Sequence, residues 1–203
     1  MKKPFLTPET SASIEVEVNK SRFLTEAHPV ASRAELQAHL ARAKQRYPDA
    51  SHHCWAYLVG DVDTPTEMAA SDDGEPRGTA GQPMLSALRA KRVGCCGVII
   101  SRYFGGIKLG AGGLIRAYSG ATSRLLEQIN LIEFEYRWRG MVHADFAHEQ
   151  RLRAWLAEHG GICESVNYSS GTDMTVSLGE KNVTAFTEFC RALKIQHKTL
   201  GKR

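Results

Sequence analysis

Six of the chain's 18 glycines fall in the segment Arg102–Ala121: Gly105, Gly106, Gly110, Gly112, Gly113 and Gly120. A continuous apolar run, Cys95–Tyr103, precedes them and reads as a buried strand. After them, Leu114, Ala117, Tyr118, Ala121, Leu125 and Ile129 recur at helical spacing, which predicts a helix from about Gly112 to Ile129. Strand, tight glycine loop and amphipathic helix in that order leave few folds open. Glycine tolerates positive φ and lets another group come close to the backbone. A glycine loop that opens a helix presents free backbone N–H groups at the positive end of the helix dipole, a geometry suited to phosphate or carboxylate. Arg102, Lys108 and Arg116 add full charges. The candidate anion- or RNA-binding residues are therefore Arg102, Tyr103, Gly105, Gly106, Lys108, Gly110, Gly112, Gly113 and Arg116. The competing reading is a tight turn whose glycines serve packing alone.

Neither common nucleotide fingerprint fits. A P-loop ends in Gly-Lys-Ser/Thr, whereas Gly106 is followed by Ile107 and Gly110 by Ala111. A dinucleotide pattern starting at Gly110 requires glycine where Ile115 stands.

The 203 residues are 42% hydrophobic and 24% charged, enough apolar material for one large domain or two small ones. The net charge of +4 is too mild for an extended phosphate-tracking surface but allows a local basic patch. No apolar run reaches the roughly 18 residues that a membrane span needs. The N-terminal Met1-Lys2-Lys3-Pro4-Phe5-Leu6 has charge without an apolar core, so it is not read as a signal peptide. The five cysteines (Cys54, Cys95, Cys96, Cys163 and Cys190) are odd in number and contain no C-x-x-C spacing. Reduced thiols in a cytoplasmic protein are expected, with no zinc site and no cofactor.

Alternation in Ile14–Val18 predicts a half-buried strand, with Arg22–Ala27 as its partner. Ser32-Arg33-Ala34-Glu35 has capping-box spacing. Leu36, Leu40, Ala43 and Tyr47 follow on one helical face, and Pro48 closes the helix. His53–Val59 reads as a strand and Pro83–Ala90 as a short helix. Residues 60–79, rich in Asp, Pro and Gly, are expected to form one long loop. After about residue 131 the pattern restarts: strand 136–144, helix 146–158, strands 162–168 and 173–178, helix 181–193, strand 195–200. That βαββαβ order is the split, ferredoxin-like unit. The expected domains are residues 1–131 and 132–203.

A second loop carries Asp72, Asp73, Gly74, Glu75, Thr79 and Gly81. Three carboxylates in four residues invite a cation, but the EF-hand spacing is absent and Asp-Gly and Glu-Pro are ordinary turn chemistry. Gly78–Gly81 leads into a helix, so it is a second candidate anion site, one that would share a cleft with the first. His52, His53 and Cys54 are strand candidates for chemistry. Alternation puts His52 and Cys54 on one face and His53 on the other. Zinc would need further ligands, and a Cys54 nucleophile would need a base and a lowered pKa.

Ser71-Asp72-Asp73-Gly74-Glu75-Pro76, Gly78-Thr79-Ala80-Gly81-x-Pro83 and Arg102-Tyr103-Phe104-Gly105-Gly106-x-x-Leu109-Gly110-x-Gly112-Gly113-Leu114 together resemble the signature of the Impact/YigZ family. Lys20-Ser21-Arg22-Phe23 and His52-His53-Cys54-Trp55-Ala56 match it as well, so the likeness spans the chain and is nearest to the bacterial members. The resemblance implies an α+β fold. An N-terminal Impact-type βα sandwich, like GHMP kinases and domain IV of elongation factor G, would precede a smaller ferredoxin-like βαββαβ domain, like domain V of that factor. It also implies a link to translation, since the eukaryotic relatives regulate translation under amino-acid starvation.

Three functions compete. A translation-linked regulatory binding protein would contact RNA, the ribosome or a translation factor through the glycine loops. A phosphate- or nucleotide-dependent enzyme would use the cleft between residues 71–83 and 104–116, with Asp72, Asp73, Glu75 and His53 for acid–base work. A protein-interaction module would bind no nucleic acid. The binding readings stand ahead of the enzyme.

Overall fold

A computed structural model describes residues 5–202; the Met1–Pro4 part of the N-terminal segment lies outside them. The chain divides into two compact units, Met1–Phe134 and Glu135–Arg203.

Unit 1 is built on a five-stranded antiparallel sheet. Its strands are β2 (Ala12–Val18), β3 (Ser21–Pro29), β4 (His52–Gly60), β5 (Pro65–Ser71) and β6 (Cys96–Tyr103), in the order β2-β3-β6-β4-β5. A short pair, β1 (Leu6–Pro8) with β7 (Leu131–Glu133), joins the two ends of the unit. The Phe5 and Phe134 rings stack beside this pair at 4.6 Å. Too short to show periodicity, it has no sequence signal.

Helix α1 (Arg33–Arg46) covers one face of the sheet. Leu36, Leu40 and Ala43 pack there against Tyr57 and Ile99. The Ser32 Oγ accepts from the Glu35 N–H at 3.3 Å, while the Glu35 carboxylate accepts from Ala31 rather than from the cap residue itself. Helices α2 (Gly81–Ala90) and α3 (Gly110–Gln128) pack on each other and on the opposite face. There Tyr118 of α3 meets Phe23 edge-on at 5.2 Å.

Strands β3 and β4 are parallel to each other with β6 between them; β5 and β6 are likewise parallel with β4 between them. The chain therefore makes two interleaved crossovers, β3-α1-β4 and β5-α2-β6, in opposite directions across one sheet. Two such crossovers of the same hand would put both helices on one face. Here the helices lie on opposite faces, so one crossover is left-handed, against the strong right-handed preference.

The expected long loop over residues 60–79 is corrected. Residues 65–71 form β5, which pairs with β4 from Trp55↔Ser71 to Gly60↔Pro65. Glu67, Ala69 and Ala70 carry little strand propensity. An edge strand leans on backbone pairing, and Pro65 starts it where its missing N–H costs nothing. Helix α3 begins at Gly110, two residues before the predicted start.

Unit 2 has the strands β8 (Arg137–Ala144), β9 (Ile162–Tyr168), β10 (Thr172–Gly179) and β11 (Gln196–Lys202) in the order β11-β8-β10-β9, all antiparallel. With α4 (Phe146–Glu158) and α5 (Val183–Ala192) this is the ferredoxin-like arrangement. Its core includes Trp138, Val142, Leu152, Leu156, Met174, Val176 and Phe186. A 3-10 turn at Glu180–Asn182 occupies the first residues of the predicted last helix.

Candidate functional site

β5 and β6 both run antiparallel to β4, so they end at the same edge of the sheet, and the second loop and the glycine loop leave side by side. The first contact between them is a buried ion pair. Arg102 Nη1 donates to Glu75 Oε1 at 2.7 Å, with the two side chains 7% and 3% exposed. Tyr118 donates its hydroxyl to the same carboxylate oxygen at 2.7 Å, tying in α3. The Arg102 Nη2 reaches Ser21 Oγ at 3.4 Å, and its guanidinium carbon lies 5.5 Å from the Phe23 ring centre. Arg102 therefore points its charge into the interior rather than at a ligand, and Nε is buried with no hydrogen-bond partner.

Asp72 organises the second loop. Its Oδ1 accepts from the Ala80 and Gly81 N–H groups at 3.0 and 2.8 Å, and its Oδ2 from Gly78 at 2.7 Å. It thus fills the N-terminus of α2, the place where a second ligand anion was expected. Burial alone would raise the Asp72 carboxyl; the bonds from Gly78, Gly81 and Ala80 outweigh it and hold the group below its ordinary value. Asp73 and Gly74 turn through positive φ, +43° and +89°. Asp73 Oδ2 accepts from the His53 N–H at 2.6 Å, and its carbonyl lies 2.8 Å from His52 Nδ1. Thr79 is buried and donates its hydroxyl to the Pro76 carbonyl at 2.7 Å. A Cβ on Gly81 would meet the Ser71 backbone at 2.7 Å, so only glycine fits there.

On β4 the alternation places the triplet as the sequence suggests. His52 faces Glu75, with Nε2 3.9 Å from Oε2, and the Cys54 sulfur lies 3.3 Å from the Tyr118 hydroxyl. His53 faces the other way, its Nδ1 2.8 Å from Ser101 Oγ. Burial pushes the Cys54 thiol up to about 12, which removes the thiolate a nucleophile needs. Burial lowers His53. The titratable groups named for acid–base work are thus largely committed to structural partners. Among the described residues, no group of three or more His, Cys, Asp or Glu could hold a metal ion, and no helix is long and apolar enough to cross a membrane.

The glycine loop has the opposite character. Gly105 is locked: a Cβ there would lie 2.0 Å from the Lys20 carbonyl carbon. Its N–H donates to Ser21 Oγ at 3.1 Å. Beyond it the chain opens to solvent. Gly106 and Gly110 have φ of +84° and +69° and nothing within 4 Å of where a Cβ would stand. Lys108, Gly110, Gly112 and Arg116 are exposed; Tyr103 and Gly113 are half-buried. Helix α3 has no side-chain cap and no acidic residue in its first turn. Its first N–H groups therefore lack the carboxylate that fills the same place on α2.

Sequence comparison agrees with this geometry. The Impact N-terminal domain profile matches residues 19–126, more than half of the chain. The chain belongs to the Impact family. A domain of unknown function (DUF1949) matches residues 142–190 in unit 2. Among curated relatives, the Impact family member of Haemophilus influenzae is 37% identical over 90% of this chain and 89% of its own. YvyE of Bacillus subtilis is 34% identical over 93% and 86%. YigZ of Escherichia coli is 31% identical over 90% of each. A solved crystal structure of a hypothetical protein superposes with a TM-score of 0.75 at 28% identity, covering 99% of both chains.

Sequence reasoning missed three members of this site. Ser21 and Ser51 anchor the glycine loop from distant strands and turns, and Tyr118 reads as ordinary stripe residue. Only the fold brings them together.

Proposed function

We propose that this Impact protein is a translation-linked regulatory binding protein that grips RNA phosphates with the loop and helix start at residues 104–116. One observation carries the reading: α3 opens on exposed glycines, uncapped and free of acid, between the exposed cations Lys108 and Arg116. Free N–H groups at a positive helix end, with two exposed cations beside them, are the chemistry that phosphate binding uses. The inward turn of Asp72 and Glu75 supports it, because it keeps nearby carboxylates from repelling an anion. Arg102, Asp72, Asp73 and Glu75 then position the loop, while Lys108, Arg116, Gly110, Gly112 and Gly113 touch the ligand.

The test is RNA and ribosome binding against rising salt. Wild-type affinity should fall steeply, and Lys108→Ala with Arg116→Ala should weaken binding and flatten the log–log salt slope by about 1.5. Unchanged affinity in that double variant overturns the site.

A further inference from the structure

We infer that Phe104 is a stacking platform for one unpaired base, so that the ligand of this loop is single-stranded RNA. The inference rests on the RNA reading above and names the form of RNA. Phe104 leaves 51% of its surface in water, and in the same segment Ile107 and Ile115 leave 44% and 43%.

The backbone beneath the ring is fixed. The Phe104 N–H donates to Ser51 Oγ at 3.4 Å, and the next N–H, of Gly105, is held by Ser21. Gly105 itself packs closely against Lys20, which leaves the backbone beneath the ring little room to shift. The ring is also backed from the protein side: the guanidinium carbon of the buried Arg102 lies 5.7 Å from its centre. An aromatic ring on an anchored backbone, with a cation on its protein side and solvent around the rest, is placed to receive a base. Base–aromatic stacking is the sequence-tolerant half of single-strand binding; the other half is a positive track for the backbone, which Lys108 and Arg116 supply. A paired duplex offers no free base face, so its bases cannot use Phe104.

The experiment measures binding of a fluorescein-labelled, mixed-sequence single-stranded RNA and of the matching duplex by anisotropy. The proteins are wild type, Phe104→Leu and Phe104→Trp. Wild type should prefer the single strand. Phe104→Leu keeps an exposed apolar group but should weaken single-strand binding about ten-fold, with the salt slope unchanged. Phe104→Trp should restore affinity, and its added fluorescence should be quenched when unlabelled RNA is bound. Equal binding of strand and duplex, an unaffected Phe104→Leu, or a tryptophan that neither restores binding nor is quenched overturns the stacking role while leaving phosphate contact intact. Wild-type protein that binds neither RNA at low salt overturns both readings.

Discussion

Breaking the Glu75–Arg102 pair should cost unit 1 a large share of its stability, and removing both members should restore most of it. The two side chains are 3% and 7% exposed and 2.7 Å apart. Taking away one partner of a buried pair leaves an uncompensated charge, worth about 3–5 kcal/mol. Glu75→Leu leaves the Arg102 guanidinium with Ser21 and two aromatic rings, Phe23 and Phe104, near it. It also removes the acceptor of the Tyr118 hydroxyl. Arg102→Met leaves the Glu75 carboxylate with Tyr118 and the more distant His52. In the double variant both charges are gone, and the chief remaining defect is the Tyr118 hydroxyl, worth about 1–3 kcal/mol. The double variant should therefore be more stable than either single one. Because the chain has two units, a single global midpoint is not a clean readout. Hydrogen exchange of the β4 and β6 peptides, followed through a urea series, reports unit 1 directly. If the double variant is as unstable as the sum of the two single ones, the pair is not coupled and the argument fails.

Asp72→Asn should loosen the second loop. One oxygen becomes an amide that faces the Gly78 N–H, at a cost of about 1.5–3 kcal/mol, visible as faster exchange in residues 71–81. Gly105→Ala should be poorly tolerated because its Cβ meets backbone at 2.0 Å, with a cost of about 1–3 kcal/mol or more in thermal unfolding. Gly106→Ala meets no atom and carries only the positive-φ penalty of about 1–2 kcal/mol; equal losses at the two glycines would refute the distinction. Cys54 should resist a thiolate-directed alkylating reagent at pH 8 until unit 1 unfolds, and labelling of the native protein at Cys54 would contradict its burial. Acid should destabilise unit 1 in two stages. His39 and His53 are lowered from 6.5, in both cases chiefly by burial. Glu26 is lowered from 4.5, chiefly by its hydrogen bond with His28, and Asp72 is lowered from 3.8. The unfolded chain binds these protons more readily, so stability present above each unfolded value is lost as pH falls. Chemical denaturation that shows no loss between pH 7 and pH 3 would refute this.

Much of the fold was legible because its signals are local. The α3 stripe, the Ser32 cap and the βαββαβ order of unit 2 each follow from periodicity and punctuation that a short window holds. The edge strand β5 was not legible, since Glu67, Ala69 and Ala70 gain their strand state from pairing with β4 rather than from their own preference. The site divides along the same line. The exposed glycines and the cations Lys108 and Arg116 are readable as a candidate anion loop from residue type and spacing. Residue type could not show that Arg102 turns inward while Phe104, two residues on, remains half in water.

The sequence by itself determined most of the strands and helices, the glycine-rich loop between β6 and α3, and the family to which the chain belongs. Those properties depend on near neighbours along the chain and on a pattern of motifs. Only the tertiary structure decided which charges are free to act. Glu75 meets Arg102 across 27 positions of sequence and Ser21 meets Gly105 across 84. A carboxylate in reach of a buried guanidinium or of three backbone N–H groups is a structural element, and the same carboxylate in water is a candidate ligand or base. Burial and partner geometry, which depend on how distant strands are brought together, make that choice.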